Sequence, residues 1–321
     1  MYKRIIVTGS LAFDHIMQMP DRFRDHIMPD KLHILNVSFL LTNFRQEYGG
    51  TAGNIAYSLA LLKTPTDILS VVGTDFAHYR EHLSKLRIID IKGIKVIRNS
   101  ATSQGFVITD KEDNQIWGFY EGAMKKATRL SVNNFSSSNS FLVLAPNNPE
   151  AMVKFANQAT KLKLPYMFDP AFNIPHFSKH DLLTAVKHSE ILIGNDYEIE
   201  LIARRLDMPK AKLLGAGKII ITTLGMHGSL IQKGNKKWKI PPAKPKNQSD
   251  PTGAGDNYRA GFLSGFVRGF PLDVCGKMGS VAAVYTVEKY GTQTHSYTMK
   301  AFCKRYQENF SSTLKLDKIP L

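Results

Sequence analysis

The sequence predicts an α/β fold built on a mostly parallel central sheet. Short apolar runs of strand length alternate with helix-length amphipathic stretches along most of the chain. Glycine-rich strings stand directly ahead of two of the predicted helices. Hydrophobic residues make up 43% and charged residues 21% of 321, a globular balance that can bury a sizeable core. That balance excludes a disordered chain, a collagen-like fibre and a coiled coil.

In chain order, residues 5–7 read as a buried strand. Residues 52–62 read as a helix, because Ile55, Leu59 and Leu62 recur at helical spacing. Strands follow at 68–72 and 141–144, a helix at 150–161, and strands at 166–168, 191–193 and 219–222. Helices are predicted at 256–269 and 272–288, and the polar tail after Arg305 is expected to fray. Two segments break this rhythm. Residues 15–47 hold few helix signals but many apolar and aromatic residues. Residues 103–121 read as a hairpin around the polar turn 110–114. Together they would form either a small separate sheet acting as a lid or an extension of the main sheet. No repeat or linker divides the chain, so 1–321 is expected to be one domain.

Composition narrows the function. No apolar run reaches the ~18–20 residues that cross a bilayer. The two cysteines, Cys275 and Cys303, exclude a disulfide framework and a cysteine-only zinc site. The positive start, Lys3-Arg4, precedes an apolar stretch too short for an export signal, so a cytoplasmic location is expected. The 42 Lys and Arg against 27 Asp and Glu leave a net charge of +15, which attracts anions generally. The basic residues lie in short pairs such as Lys125-Lys126, without a block of five. A diffuse basic surface is therefore favoured over a nucleic-acid face.

Five strings carry chemistry. The strongest is Asp250-Pro251-Thr252-Gly253-Ala254-Gly255-Asp256, ahead of a helix. Small residues at a helix N-terminus let backbone N–H groups converge on an anion. Asp256 would repel a phosphate held there, but it suits a base that deprotonates a hydroxyl attacking phosphorus. An isolated Gly-Ala-Gly-Asp is equally an ordinary N-cap turn. Tyr48-Gly49-Gly50-Thr51-Ala52-Gly53-Asn54 is either a tight turn or a bare-backbone site where Asn54 donates to a ligand hydroxyl. Asp14, in Gly9-Ser10-Leu11-Ala12-Phe13-Asp14 at the end of the first strand, is either a turn residue or an acceptor for two vicinal hydroxyls. Asn195 and Glu198 share a face if a helix starts there. Glu198 could then hold Mg²⁺ through water, or simply complement the helix dipole. Gly225 and Gly228, after Thr222-Thr223, suit a nucleotide loop or a hairpin turn into Leu230-Ile231. Walker A, Rossmann and zinc patterns are absent from the sequence.

Four of these strings, in this order, resemble the ribokinase-like (PfkB) family of small-molecule kinases over roughly residues 3–300. The resemblance implies a three-layer α/β/α domain with a small β-sheet lid, formed by about 15–47 and 103–121, and ATP-dependent phosphorylation of a hydroxymethyl group. It implies Asp256 as catalytic base and Gly253, Ala254 and Gly255 as an anion hole. Asp14, Gly49, Gly50 and Asn54 match positions that bind substrate hydroxyls. Asn195 and Glu198 match the magnesium and phosphate motif, and Thr223, Gly225 and Gly228 the nucleotide loop. Asp250 and Thr252, with the Gly291 loop, lie where many members hold K⁺.

Gly-Gly-Thr-Ala-Gly-Asn-Ile-Ala-Tyr and Pro251 look most similar to bacterial adenosine-kinase-like members. The expected acceptor is therefore the 5′-hydroxyl of a purine nucleoside, adenosine first. A base slot would need aromatic faces, which Phe13, Phe106, Trp117 and Phe119 could supply unless they are only the lid's core. A sugar kinase on the same fold and a nonenzymatic ligand or nucleic-acid binder are the alternatives. Open lid edges could also pair in a homodimer.

Overall fold

The computed structural model describes residues 2–34, 36–112, 114–134, 139–213, 217–314 and 316. The end of the tail, residue 315 and residues 317–321, lies outside the described residues. The strands are β1 (Arg4–Thr8), β2 (Ala12–Gln18), β3 (Asn43–Gly49), β4 (Thr66–Val72), β5 (Ile89–Asp90), β6 (Ile94–Val96), β7 (Ser103–Thr109), β8 (Gln115–Tyr120), β9 (Ser140–Leu144), β10 (Tyr166–Phe168), β11 (Ile191–Asn195), β12 (Ile219–Thr223), β13 (Ser229–Lys233) and β14 (Lys236–Ile240). Ten form the central sheet, in the order β14-β13-β12-β11-β10-β9-β1-β4-β5, with β6 also on β4. From β12 through β4, and on to β5 and β6, all pairings are parallel. β13 and β14 add an antiparallel edge.

The three layers follow from strand alternation. Ile5 and Val7 of β1, Phe141 and Val143 of β9, and Ile219 and Ile221 of β12 point to one face. There they meet Ile55 and Leu59 of the Thr51–Leu61 helix and Phe262 and Leu263 of the Ala254–Val267 helix. Ile6, Leu142, Leu144 and Ile220 point to the other face. They pack on Met152 and Phe155 of Pro149–Lys161, Leu182 of Lys179–His188 and Ile202 of Asp196–Arg205. A sheet buried on both faces reads as continuous apolar runs, as these strands do.

The remaining four strands form a separate sheet, β3-β2-β7-β8, so the lid is not an extension of the main sheet. Its centre, β2 against β7, is parallel, and both flanks are antiparallel. The lid strands start at Ala12 and reach Gly49, beyond the expected 15–47. Asp14 therefore lies inside the second strand, not at the end of the first. The chain past Arg305 also differs from expectation. It stays helical to Phe310, and Leu314 and Leu316 are buried against Phe302 and Tyr306.

Candidate active site

The parallel strands β1, β9, β10, β11 and β12 end on one edge of the sheet, where an open α/β sheet forms its cleft. Asp169 follows β10, and Asn195 and Thr223 close β11 and β12 on that edge.

The Ala254–Val267 helix starts there after Gly253, whose φ of 76° and ψ of −1° are left-handed. Only glycine adopts this without penalty, and it turns the chain abruptly into the helix. No side chain caps this N-terminus, and apart from the Ala254 amide, which donates to the Pro251 carbonyl at 3.2 Å, its first backbone N–H groups are open to an anion. The Asp250 carboxylate braces the turn by accepting from the Thr252 amide at 2.9 Å and the Gly291 amide at 3.3 Å.

Asp256 sits in the first turn, partly buried. Its Oδ2 accepts from Asn54 Nδ2 at 2.8 Å, which joins two strings 202 residues apart. Burial lifts its pKa to about 6. Arg259 and the Asn54 bond oppose that rise, and Asp169 adds to it. A carboxylate so tuned is mostly ionised at neutral pH and more basic than a solvated one. Behind it, Arg259 makes a buried bidentate pair with Asp169, Nε to Oδ2 at 2.5 Å and Nη2 to Oδ1 at 2.8 Å. Arg259 Nη1 also donates to the Gly255 carbonyl at 3.0 Å, which ties the helix start to the end of β10.

Asp14 faces this centre from the lid. It is buried, and burial with the like charges of Asp256, Asp250 and Glu47 lifts its pKa to about 7. Lid register decides which aromatics join it. Asp14 aligns with Gly105, and Gly105 with Phe119, so Asp14 and Phe119 share a face. Val107 aligns with Trp117, which places Trp117 on that same face. Bare Gly105 leaves room for both the Asp14 carboxylate and the Trp117 ring. Phe119 also approaches Phe172 of the main body, with ring centroids 6.2 Å apart. Phe106 does not join them. It aligns with His15 and Gly118 on the opposite face, stacks on His15 at 4.7 Å and is 42% exposed. The period of two that sorts the core also separates these two phenylalanines. Phe13 turns away too, packing on Tyr48 and Tyr79.

Asn195 and Glu198 form a reciprocal capping box. Asn195 Oδ1 accepts from the Glu198 amide, and Glu198 Oε2 accepts from the Asn195 amide, both at 2.8 Å. The cap uses one Glu198 oxygen and leaves the other. Burial raises this carboxyl's pKa, and Asp169 adds to the rise. Among the described residues no three His, Cys, Asp or Glu cluster to hold a metal ion. The Glu198 oxygen that the cap leaves would suit a magnesium ion that takes most of its ligands from water and a nucleotide. Thr223 pairs with Ser229 across a hairpin, so the string after β12 forms a hairpin turn into Leu230-Ile231. Gly225 and Gly228 occupy its positive-φ corners.

Sequence reasoning missed Asp169, Arg259, Glu47, Tyr79, Thr292 and Gln293. Asp169 carried a signal, a carboxylate placed directly after an apolar strand. The others act through contacts distant in sequence.

Comparison with known proteins gives a consistent result. The model of the pfkB family of carbohydrate kinases matches residues 8–299. A nucleoside kinase of Methanocaldococcus jannaschii is 33% identical over 309 residues, 96% of this chain and 98% of that one. A Burkholderia thailandensis nucleoside kinase in complex with inosine superposes with a TM-score of 0.88 at 28% identity, covering 96% of this chain and 99% of that one. The same kinase with ADP and inosine superposes at 0.87 with 29% identity, covering 97% of each chain.

Proposed function

The chain belongs to the pfkB family of carbohydrate kinases, and from that premise we propose that it phosphorylates the 5′-hydroxyl of a purine nucleoside, adenosine first, using ATP. It is a phosphotransferase with an alcohol acceptor. The nucleoside reading is supported by the nucleoside kinase relatives and by the inosine complex. ATP use is supported by the complex with ADP.

One observation carries the mechanism. Asp256 stands at an uncapped helix N-terminus, held by Asn54 and facing Asp14 on the lid. Asp14 and the remaining Asn54 N–H hold the ribose hydroxyls beside bare Gly49 and Gly50. Trp117 and Phe119 flank the base. Asp256 takes the 5′-hydroxyl proton as that oxygen bonds to the γ-phosphorus. The bond from phosphorus to the bridging oxygen breaks, and its electrons leave on ADP. Backbone N–H groups of Gly253 and Gly255, and that of Ala254 once it leaves the Pro251 carbonyl, stabilise the transferring charge. Thr223, Gly225, Gly228 and Asn195 line the nucleotide. Magnesium, held through water by Glu198, would neutralise phosphate charge. The Asp250 carboxylate already accepts from the Thr252 and Gly291 amides, and K⁺ is proposed beside Asp250 and Thr252.

A homodimer through the lid is supported by that sheet's outer face, which exposes Phe44, Phe106, Ile116 and Tyr120. No helix among the described residues is long and apolar enough to cross a membrane. A cytoplasmic location remains part of the proposal.

The test is ADP release with adenosine, inosine, guanosine, cytidine, ribose and fructose offered separately, with and without K⁺. Turnover on adenosine supports the full reading. Turnover on a sugar but on no nucleoside would retain Asp256 and discard the nucleoside.

A further inference from the structure

Gln293 lies in the segment between the Leu272–Val287 and Met299–Phe310 helices, and it is buried. Its amide completes a hydrogen-bond chain whose polarity can be read link by link. The Tyr79 hydroxyl donates to the Gly49 carbonyl at 2.8 Å, so its oxygen is free to accept. Gln293 Nε2 donates to that oxygen at 2.5 Å and to Asn54 Oδ1 at 3.0 Å. Gln293 Oε1 therefore points to His82 Nε2, 3.1 Å away, which carries the proton. A side chain on Gly53 would collide with the Tyr79 hydroxyl and crowd Gln293 Nε2, so that glycine keeps the space open.

Asn54 Oδ1 has two donors in reach, Gln293 and the Thr292 hydroxyl at 2.7 Å. Thr292 has one proton and a second acceptor, the Tyr48 carbonyl at 2.8 Å. Its donation is therefore divided, whereas Gln293 has an N–H committed to Asn54. Two donors on Oδ1 leave the Asn54 NH₂ as the only group it can turn toward Asp256.

We propose that Gln293 is a positioning residue for phosphoryl transfer: it locks the Asn54 amide so that an N–H is presented to the Asp256 carboxylate. The inference rests on the reading of Asp256 as base. The other charged and titratable groups facing Asp256 are Arg259 and Asp169 behind it, Asp14 on the lid and the Tyr79 phenol. None of them donates through Asn54. Loss of the lock removes a donor that favours the ionised carboxylate, so the base titrates higher and is less often ready at a given pH.

The experiment compares Gln293→Met and Gln293→Leu with the wild type and with Asp256→Asn, by nucleoside kinetics from pH 5 to 9 and by thermal melting. Gln293→Met keeps the side-chain length, removes the donor and adds no charge near Asp256, so it decides the matter if the leucine variant does not fold. The expected result is a kcat lowered about fivefold near pH 6, with its acidic limb moved up by about one unit. The nucleoside KM should change by less than about threefold. An unmoved acidic limb in folded Gln293→Met would overturn the inference, whatever happens to kcat. Asp256→Asn separates the two failures. An inactive Asp256→Asn beside a wild-type-like Gln293→Met refutes the positioning role alone, and an active Asp256→Asn refutes the base as well.

Discussion

Replacing Asp256 with asparagine should make the protein more stable and nearly inactive at once. The carboxyl titrates near 6 in the folded chain against 3.8 ordinarily, chiefly because burial disfavours its charge. Between those values the native state binds more protons than the unfolded state, so stability falls as pH rises. Above about pH 6 the full cost is present. A shift of roughly two units corresponds to about 3 kcal/mol, and partial exposure trims that to about 1–3 kcal/mol. Asparagine has nearly the same shape, can still accept from Asn54 and carries no charge. Arg259 keeps its bidentate partner Asp169. The variant should therefore melt higher at pH 8, with the gain shrinking below pH 6 and vanishing near pH 4. Loss of a general base should lower kcat about 10²- to 10⁴-fold, or about 3–5 kcal/mol of barrier. Urea or thermal unfolding at pH 4, 6 and 8 beside ADP-release kinetics tests both halves. A variant less stable at pH 8 would refute the buried-charge argument. A stabilised variant with near-normal turnover would refute the assignment of the base.

Asp14 titrates near 7, so nucleoside kcat/KM should fall as pH drops through 7, and Asp14→Asn should raise KM and flatten that limb. Asp14 and Asp256 influence each other, so the two apparent values belong to the pair. Lid register predicts that Phe119→Ala raises nucleoside KM about tenfold by removing one face of the base slot. Phe106→Ala, on the outer face, should leave nucleoside kinetics unchanged, and the reverse pattern would refute the register argument. Asp169→Ala strands a buried guanidinium and should destabilise the fold by about 3–5 kcal/mol in urea unfolding. A loss under ~1 kcal/mol would show that Arg259 finds another partner.

Much of the architecture was legible because it rests on local periodicity. The continuous apolar runs Ile5-Ile6-Val7 and Phe141-Leu142-Val143-Leu144 were legible as strands, and the structure buries both of their faces, one under each helical layer. The hairpin at 103–121 was legible from its polar turn. The helix after Gly-Ala-Gly was legible because its glycines precede an apolar run, and it starts at Ala254, two residues earlier than predicted. Asp14 was misplaced by one strand because nothing local marks the point where the chain leaves the main sheet for the lid.

The sequence alone determined the family-like strings, the layered α/β class and the residue types a phosphotransferase site needs. Each of these depends on neighbours a few positions apart. Tertiary structure decided which of those residues meet. Asn54 reaches Asp256 across 202 positions, and Arg259 reaches Asp169 across 90. Phe119 faces Asp14 and Phe106 does not, because one step of strand register turns every side chain to the other face. Register and long-range closure depend on how all the strands pack together, and no local window of sequence contains that information.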